Sequence, residues 1–419
     1  MTDIDISPSA LPWETWLQPD SHVMCSHMTS EPRALLQSLA RADLPPGLSV
    51  ELGVPFSMDA HAFPETVTLH VMGGMGTAAA LGKKRPLHID RKEYPAFPED
   101  YASGKCNADI VLISLAQAAV GSLHLGASQG AAVDAARRAH VVIAEINTAA
   151  PVVSGASWPD DIAITHRVTC DYPVATIQTG TGRKDQEAAI AAHLSDVIPD
   201  GACLQVGIGA IPEAILSSLR GHRHLGIHTG MLGDALYQLI EAGAVDNSNK
   251  PSSLRKTIAG CFYGSESLYQ AIENRPDIEL AHPSQTHALN ILQRIDKFTS
   301  INSAIEVDLL GRVNAETVTT SDGRRRAVGG IGGLPAFVRG ALRSSGGQSI
   351  IALPALTRYD GSGRSRIVRS IETEITVDDT LADIVVTEFG VARLRGASAT
   401  ERRERMLAIS SPDVRQELS

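Results

Sequence analysis

The sequence predicts an α/β protein built on mostly parallel sheets. Short apolar runs, typical of buried strands, alternate with helix-patterned segments along most of the 419 residues. Such alternation produces right-handed βαβ crossovers and a sheet covered on both faces. Glycine is frequent, with 36 residues, whereas aromatic residues make up only 4%. This balance favours many short turns between strands and helices over a surface of stacking aromatic rings.

The composition excludes several functional classes. A net charge of −10 disfavours a broad surface that follows nucleic-acid phosphates, although a local basic pocket for one small anion stays open. The five cysteines are widely spaced and form no C-x-x-C pair, so neither a disulfide framework nor a zinc ribbon is indicated, and no metal cofactor is expected. No apolar run approaches 18 residues and the N-terminal stretch is acidic. We therefore expect no membrane span and a cytoplasmic location.

The first half predicts one domain over residues 1–183. A helix is expected over 31–40, with Ser30 as its N-cap and Pro32 in its first turn. Strands are expected at 66–71, 110–115, 140–146 and 162–168, and a second helix at 126–138. The small, polar, glycine-rich stretch 179–184 marks the predicted boundary with a second domain over 184–419.

The second half repeats the same kind of unit. Strands are predicted at 202–206, 225–228, 256–262, 300–305, 349–351 and 384–387, and helices at 212–219, 231–242 and 399–419. Between the first strand and helix lies the turn Gly207-Ile-Gly209. A glycine turn that opens a helix presents backbone N–H groups suited to a phosphate, a carboxylate or an oxyanion. A single Gly-Ile-Gly is explained equally well by the steric needs of a tight turn.

Several stretches resemble the acetyl-CoA hydrolase/transferase family, which includes the 4-hydroxybutyrate CoA-transferases. They include Leu225-Gly-Ile-His-Thr229, Ser300-Ile-Asn-Ser-Ala-Ile-Glu-Val-Asp-Leu309, Phe337-Val-Arg-Gly-Ala341 and Val385-Val-Thr-Glu-Phe-Gly-Val391. The first half matches more loosely, through Ser26-His-Met-Thr-Ser-Glu-Pro32. The resemblance implies two CoA-transferase-type (NagB/RpiA-like) open α/β domains with the active site between them. It also implies an acyl-CoA thioester as substrate, a small acceptor and a homodimer.

The resemblance also shows where this chain departs from the family. Family members use a glutamate, in a motif like His-Thr-Glu-Met, to attack the thioester and carry CoA covalently. This sequence reads His228-Thr229-Gly230-Met231, so glycine stands where that nucleophile is expected. The family's Gly-Gly-Gln-Val is here Gly332-Gly333-Leu334-Pro335, which replaces a polar group by an apolar one. These departures indicate a changed or lost reaction.

Candidate site residues follow from the resemblance and from spacing. Asp234, expected one turn from Gly230 on the same helix, is a possible displaced acid, with a solvated surface acid as the alternative. His27 is a candidate base, and His228 could orient a water or an acceptor, although both suit structural roles too. Oxyanion or CoA binding is assigned to five residues: Gly207, Gly209, Gly332, Gly333 and Glu388. Glu388 could equally be a structural partner of Arg366.

Three functions are compatible with this sequence. The first is direct acyl transfer from an acyl-CoA thioester to a small acceptor or water, in the space that the glutamate would fill. The second is true CoA transfer between an acyl-CoA and a carboxylate, using a displaced acid. The third is non-catalytic acyl-CoA binding. The missing side chain at Gly230 favours the first.

Overall fold

The computed structural model describes residues 4–177, 184–320, 322–357 and 363–418. The strands are β1 Ile4–Asp5, β2 His22–Cys25, β3 Ser49–Gly53, β4 Thr68–Val71, β5 His88–Ile89, β6 Ile110–Gln117, β7 Leu123–His124, β8 Val141–Asn147, β9 His166–Cys170, β10 Cys203–Val206, β11 Gly226–Leu232, β12 Thr257–Phe262, β13 Ile278–Leu280, β14 Phe298–Asn302, β15 Glu306–Asp308, β16 Val313–Asn314, β17 Thr317–Thr319, β18 Arg325–Ala327, β19 Gln348–Ala352, β20 Leu356–Thr357, β21 Arg364–Ser365, β22 Ile367–Val368, β23 Ile384–Thr387 and β24 Gly390–Arg393. The helices are α1 Trp13–Trp16, α2 Arg33–Leu39, α3 Ala78–Leu81, α4 Ala96–Ser103, α5 Ala132–Ala136, α6 Lys184–Ser195, α7 Ala210–Ser218, α8 Asp234–Glu241, α9 Glu266–Ile272, α10 Pro283–Thr286, α11 Leu289–Leu292, α12 Leu334–Arg343, α13 Ala399–Ala408 and α14 Arg415–Leu418.

Among the described residues, the first of two compact units contains 4–177 and 259–284. Its sheet has the strand order β1-β9-β8-β6-β2-β3-β4-β5, and β7 pairs with β6. The pairs along this order are parallel, whereas β6 and β7 are antiparallel. Central strands such as β6 are almost wholly buried and consist mostly of apolar residues, because a parallel sheet is covered on both faces.

Among the described residues, the second unit contains 184–258, 285–320, 322–357 and 363–418. Its main sheet runs in the order β11-β10-β14-β19-β23-β24. Strand β10 pairs in parallel with β11 and β14, β19 pairs in parallel with β14 and β23, and β23 and β24 are antiparallel. Helix α12 packs against β14 and β19, where Phe337 and Ala341 join a buried apolar cluster with Phe298. The mixed α/β fold with large, mostly parallel sheets confirms the predicted fold class.

The division into units differs from the predicted single boundary at 183/184. Residues 178–183 lie outside the described part, and residues 259–284 return to the first unit. Backbone hydrogen bonds join residues 259–284 to the rest of the first unit. The Phe262 N–H donates to the Ala127 carbonyl over 2.8 Å, and the Leu280 N–H donates to the Ser154 carbonyl over 2.9 Å. Helix α9 and strand β13, which lie within 259–284, have the same apolar patterns as the elements before and after them. The local sequence therefore does not show that the chain returns to the first unit here.

Several predicted element boundaries are wrong. The expected helix over 126–138 is reduced to the five residues of α5. The strand expected at 225–228 continues to Leu232, so the following helix begins only at Asp234. The terminal helix stops at Ala408 because Pro412 cannot continue it.

The helix expected over 31–40 is α2, but its capping differs from the prediction. No side chain caps α2, and Pro32 takes the N-cap position. The hydroxyl of Ser30 instead donates to the Leu125 carbonyl over 2.9 Å.

Among the described helices, none has both the length and the apolar character needed to cross a bilayer.

Candidate active site at the carboxyl ends of the second-unit strands

The strand, glycine turn and helix predicted around residue 207 are present. Strand β10 ends at Val206, and α7 begins at Ala210 with Gly209 as its N-cap. Gly209 has φ 124° and ψ 172°, a conformation that is essentially restricted to glycine. The turn therefore directs the amide groups of the first turn of α7 toward the carboxyl edge of the sheet, where open α/β folds bind ligands.

Gly230 lies within β11, and neighbouring side chains limit what can stand there. Its backbone is not in the left-handed region, so the conformation itself is open to any residue. A Cβ atom at this position would lie 3.2 Å from His287 Nε2, 3.3 Å from His287 Cε1 and 3.3 Å from Phe337 Cε2. A side chain at residue 230 would therefore require the two rings to move by a few tenths of an ångström.

His287 is the site residue that the sequence reasoning missed. The residue is 5% exposed, and its ring packs against Phe337 with a centroid distance of 4.3 Å and a tilt of 38°. Its Nδ1 lies 2.7 Å from the hydroxyl of Thr286. Burial lowers the pKa of His287 to about 3, so the ring is neutral near pH 7. No motif surrounds it in the sequence, and only its three-dimensional neighbours reveal it.

Gly333 lies on another side of the same ring. It is the N-cap of α12, and a Cβ atom there would come within 2.4 Å of His287 Nε2 and 2.9 Å of Phe337 Cε2. The preceding Gly332 has a left-handed φ of 55°. The structure thus brings two predicted site residues, Gly230 and Gly333, against one histidine ring.

His228 and Thr229 are fully buried in β11. His228 donates from Nε2 to the Gln285 carbonyl over 3.2 Å, and its Nδ1 has no hydrogen-bond partner among the described residues. Burial lowers the pKa of His228 to about 3. Thr229 accepts from the Val206 N–H over 3.4 Å and donates to the Met231 carbonyl over 3.0 Å. Both residues thus hold the strand end in place.

A buried polar network lies at the ends of β10 and β14. The side-chain Oε1 of Gln205 accepts from Ser300 Oγ over 2.7 Å and from Asn302 Nδ2 over 3.0 Å. A Cβ atom at Gly207 would meet Asn302 Oδ1 at 2.9 Å. The network explains why residue 207 is glycine, since a side chain there would collide with the network's amide.

The two acidic candidates have different surroundings. Asp234 is the first residue of α8, whereas Gly230 lies in a strand, so the argument from a shared helix face is wrong. Glu388 accepts from Gln186 Nε2 over 2.9 Å and from the Ala355 N–H over 2.8 Å. Because both carboxylate oxygens of Glu388 are engaged within the second unit, these contacts favour a structural role.

His27 belongs to the first unit and is 2% exposed. Its ring lies between two glycines: Cβ atoms at Gly53 and Gly130 would come within 2.8 and 2.7 Å of it. Its Nε2 is 3.1 Å from the Tyr94 hydroxyl, and burial lowers the pKa of His27 to about 4. This packing accounts for the residue structurally, and its role as a base stays a prediction.

Comparison with known proteins identifies the family to which this chain is similar. The model of the acetyl-CoA hydrolase/transferase C-terminal domain matches residues 264–419. The chain is 33% identical to the 4-hydroxybutyrate coenzyme A transferase of Clostridium kluyveri over 325 residues, which covers 77% of this chain and 74% of that protein.

Solved structures agree over nearly the whole length. RipA from Yersinia pestis superposes with a TM-score of 0.88 at 27% identity, covering 99% of this chain and 95% of that one. The 4-hydroxybutyrate CoA-transferase from Porphyromonas gingivalis does so with a TM-score of 0.80 at 29% identity, covering 99% and 96%. The chain belongs to the acetyl-CoA hydrolase/transferase family.

Proposed function

We propose that this protein transfers the acyl group of a CoA thioester directly to a small acceptor or to water. Membership of the family supports an acyl-CoA transferase or hydrolase activity. The surroundings of residue 230 support transfer without a covalent intermediate at that residue. A cytoplasmic location and a homodimer are kept as further parts of this proposal.

The packing of His287 against Gly230 carries the proposal. Glycine offers no nucleophile, and the Nε2 atom of His287 lies 3.2 Å from the place where a Cβ would begin. A protein that kept covalent chemistry at residue 230 would need a carboxylate there. What lies beside that position is an imidazole ring, the side chain that most often moves protons in enzymes.

The proposed reaction proceeds in one addition and one elimination. A lone pair of the acceptor attacks the thioester carbonyl carbon, the acceptor proton moves to His287, and negative charge develops on the carbonyl oxygen. The intermediate then expels the CoA sulfur, which takes the proton from His287. The amides at the turn of Gly209 and at the start of α12 are suited to stabilise the oxyanion.

The low pKa of His287 keeps its ring in the neutral form, which can accept a proton. Burial disfavours the protonated ring in the free protein. A developing oxyanion beside the ring would offset that cost, because an opposite charge within a few ångströms favours the charged form. His287 would therefore accept a proton chiefly when the thioester is under attack.

The order of steps can be tested by steady-state kinetics. Acetyl-CoA or butyryl-CoA is offered with water or hydroxylamine, and release of CoA thiol is followed. Butyryl-CoA is also offered with acetate, and formation of acetyl-CoA is followed there, because transfer of CoA to acetate releases no free thiol. Direct transfer to an added acceptor gives intersecting double-reciprocal lines and no protein adduct after borohydride treatment. Parallel lines with a trapped adduct would establish covalent CoA transfer instead, and binding of acyl-CoA without any turnover would establish a non-catalytic protein.

A His287→Gln variant tests whether His287 acts as the base, because glutamine keeps a polar side chain at this position but cannot accept the proton. We expect turnover to fall by about 10²–10⁴-fold, with acyl-CoA binding retained. The matched control is His224→Asn, which changes an exposed histidine paired with Asp246 and should leave turnover unchanged. Undiminished turnover in His287→Gln would remove this histidine from the mechanism.

A further inference from the structure

Two histidines and an aspartate converge at the edge of the first unit's sheet, far in sequence from the residues of the candidate active site. His70 Nδ1 lies 3.1 Å from one carboxylate oxygen of Asp90, and His88 Nε2 lies 3.5 Å from the other. The two imidazole rings are 4.4 Å apart between centroids and inclined by 43°. One donor atom from each of the three side chains lies within 4.8 Å of the other two.

The fold produces this convergence through strand register. Strands β4 and β5 are parallel, and His70 and His88 are direct partners in that pairing. Asp90 follows His88 by two residues, so its side chain is directed to the same face. Its N–H continues the pairing by donating to the Val71 carbonyl over 2.9 Å. Three donors from two segments are thereby held by backbone hydrogen bonds.

We propose that His70, His88 and Asp90 bind a divalent cation of the zinc type. Imidazole and carboxylate donors suit Zn²⁺, which is commonly held by three protein ligands with a further position left to water. Bond lengths near 2.0–2.1 Å place tetrahedral donors about 3.3 Å apart, and the two histidines lie 3.1 and 3.5 Å from the two different oxygens of Asp90. The three donors lie within 4.8 Å of one another, so small side-chain rotations would close them around one ion. This proposal departs from the expectation, drawn from the sequence, that the protein has no metal.

The alternative is a simple ion-pair network, with one protonated ring beside Asp90 and the other ring neutral. Two protonated imidazoles with centroids 4.4 Å apart would repel each other across a single carboxylate. Two neutral rings would gain only modest hydrogen bonds from it. One divalent ion satisfies both rings and the carboxylate together. Solvent can deliver the ion, because the His88 side chain is 57% exposed on the edge strand.

The site is tested with Zn²⁺ alone. Protein freed of metal by a chelator is titrated calorimetrically, and Co²⁺ is used as a visible-absorption probe of coordination geometry. The wild type should bind one more Zn²⁺ per chain than His88→Ala. The affinity lost should be at least about 100-fold, since even outer-shell partners of a metal contribute 10–100-fold. Zn²⁺ should also raise the thermal midpoint of the wild type but not of the variant.

The variants and control are matched to their surroundings. His88→Ala changes an exposed side chain and should fold normally, and Asp90→Asn provides an independent loss of a ligand. His224→Asn removes a histidine with a single carboxylate partner and should bind Zn²⁺ like the wild type. Equal stoichiometry and affinity in His88→Ala and the wild type, or no Zn²⁺ binding by the wild type, would overturn the proposal.

Discussion

The substitution Gly230→Ala measures how tightly the rings close around the candidate site. Its new Cβ would lie 3.2–3.3 Å from atoms of His287 and Phe337, closer than ordinary van der Waals contact. Overpacking of this kind typically costs about 1–3 kcal/mol. In domains of 150–250 residues, each kcal/mol lowers the thermal midpoint by about 2–4 °C. Differential scanning calorimetry of the variants provides the measurement.

Two other glycines provide reference values for the loss of stability expected in Gly230→Ala. At Gly333 the new Cβ would lie 2.4 Å from His287 Nε2, so Gly333→Ala should be more destabilising than Gly230→Ala. At Gly221 nothing lies within 4 Å of the new Cβ, and φ is not left-handed. Gly221→Ala should therefore leave stability unchanged or raise it by about 0.4–1 kcal/mol.

A double-mutant cycle tests whether His287 is the cause. In a His287→Ala background the nearest ring atoms are gone, so Gly230→Ala should cost much less than in the wild type. Residues in contact typically show coupling energies of about 0.5–3 kcal/mol. If Gly230→Ala behaves like Gly221→Ala, or keeps its full cost when His287 is removed, the packing argument for the site is wrong.

Four further outcomes are expected. Burial raises the pKa of Glu145 to about 7, so the contribution of its neutral form to stability is present below the unfolded pKa near 4.5 and is lost as pH rises through 7. The free energy of unfolding of Glu145→Gln, measured by chemical denaturation, should therefore rise by about 3 kcal/mol relative to that of the wild type between pH 4.5 and 8. Burial lowers the pKa of His27 to about 4, so the contribution of its neutral ring to stability is present above about pH 6.5 and is lost as pH falls toward 4. In His27→Gln the free energy of unfolding should fall less steeply over this pH range, and a pH profile equal to that of the wild type would contradict the prediction. Gly209→Ala should lower stability by about 1–3 kcal/mol and reduce CoA release, measured by calorimetry and thiol assay. Gly230→Glu combined with His287→Ala should yield a borohydride-trappable glutamyl-CoA adduct in a mass spectrum, whereas Gly230→Glu alone should yield less, because the ring crowds the new side chain.

The sheet class was predictable because buried parallel strands are mostly apolar along their length. Residues 110–115 and 140–146 are such runs, interrupted only by Ser114 and by His140 and Glu145, and they correspond to β6 and β8. The extension of β11 to Leu232 was not predictable from the same rule. Thr229 and Gly230 interrupt the apolar run, and glycine weakens a strand pattern. The Val206 N–H donates to Thr229 Oγ1 within the extension, and His287 packs against Gly230.

The candidate site was predictable only where it depends on local backbone. The turn at Gly209 follows from a strand, a glycine and a helix start that are adjacent in sequence. The roles of Gly230 and Gly333 depend instead on His287, which approaches both of them from 57 and 46 residues away in the chain. A contact of this kind leaves no trace in periodicity or spacing. It becomes visible only when the distances to a missing Cβ are measured.

The return of residues 259–284 to the first unit has a consequence for synthesis on the ribosome. The first unit is not complete when residue 177 has emerged, because Phe262 and Leu280 must still donate their backbone hydrogen bonds to it. Domains generally fold as units during translation, but here the earlier unit waits for more than 80 residues of the later one. The nascent chain therefore carries an incomplete first unit while β10, β11 and α8 are being made, and a fragment ending at residue 183 should depend on chaperones in a way that the full chain does not.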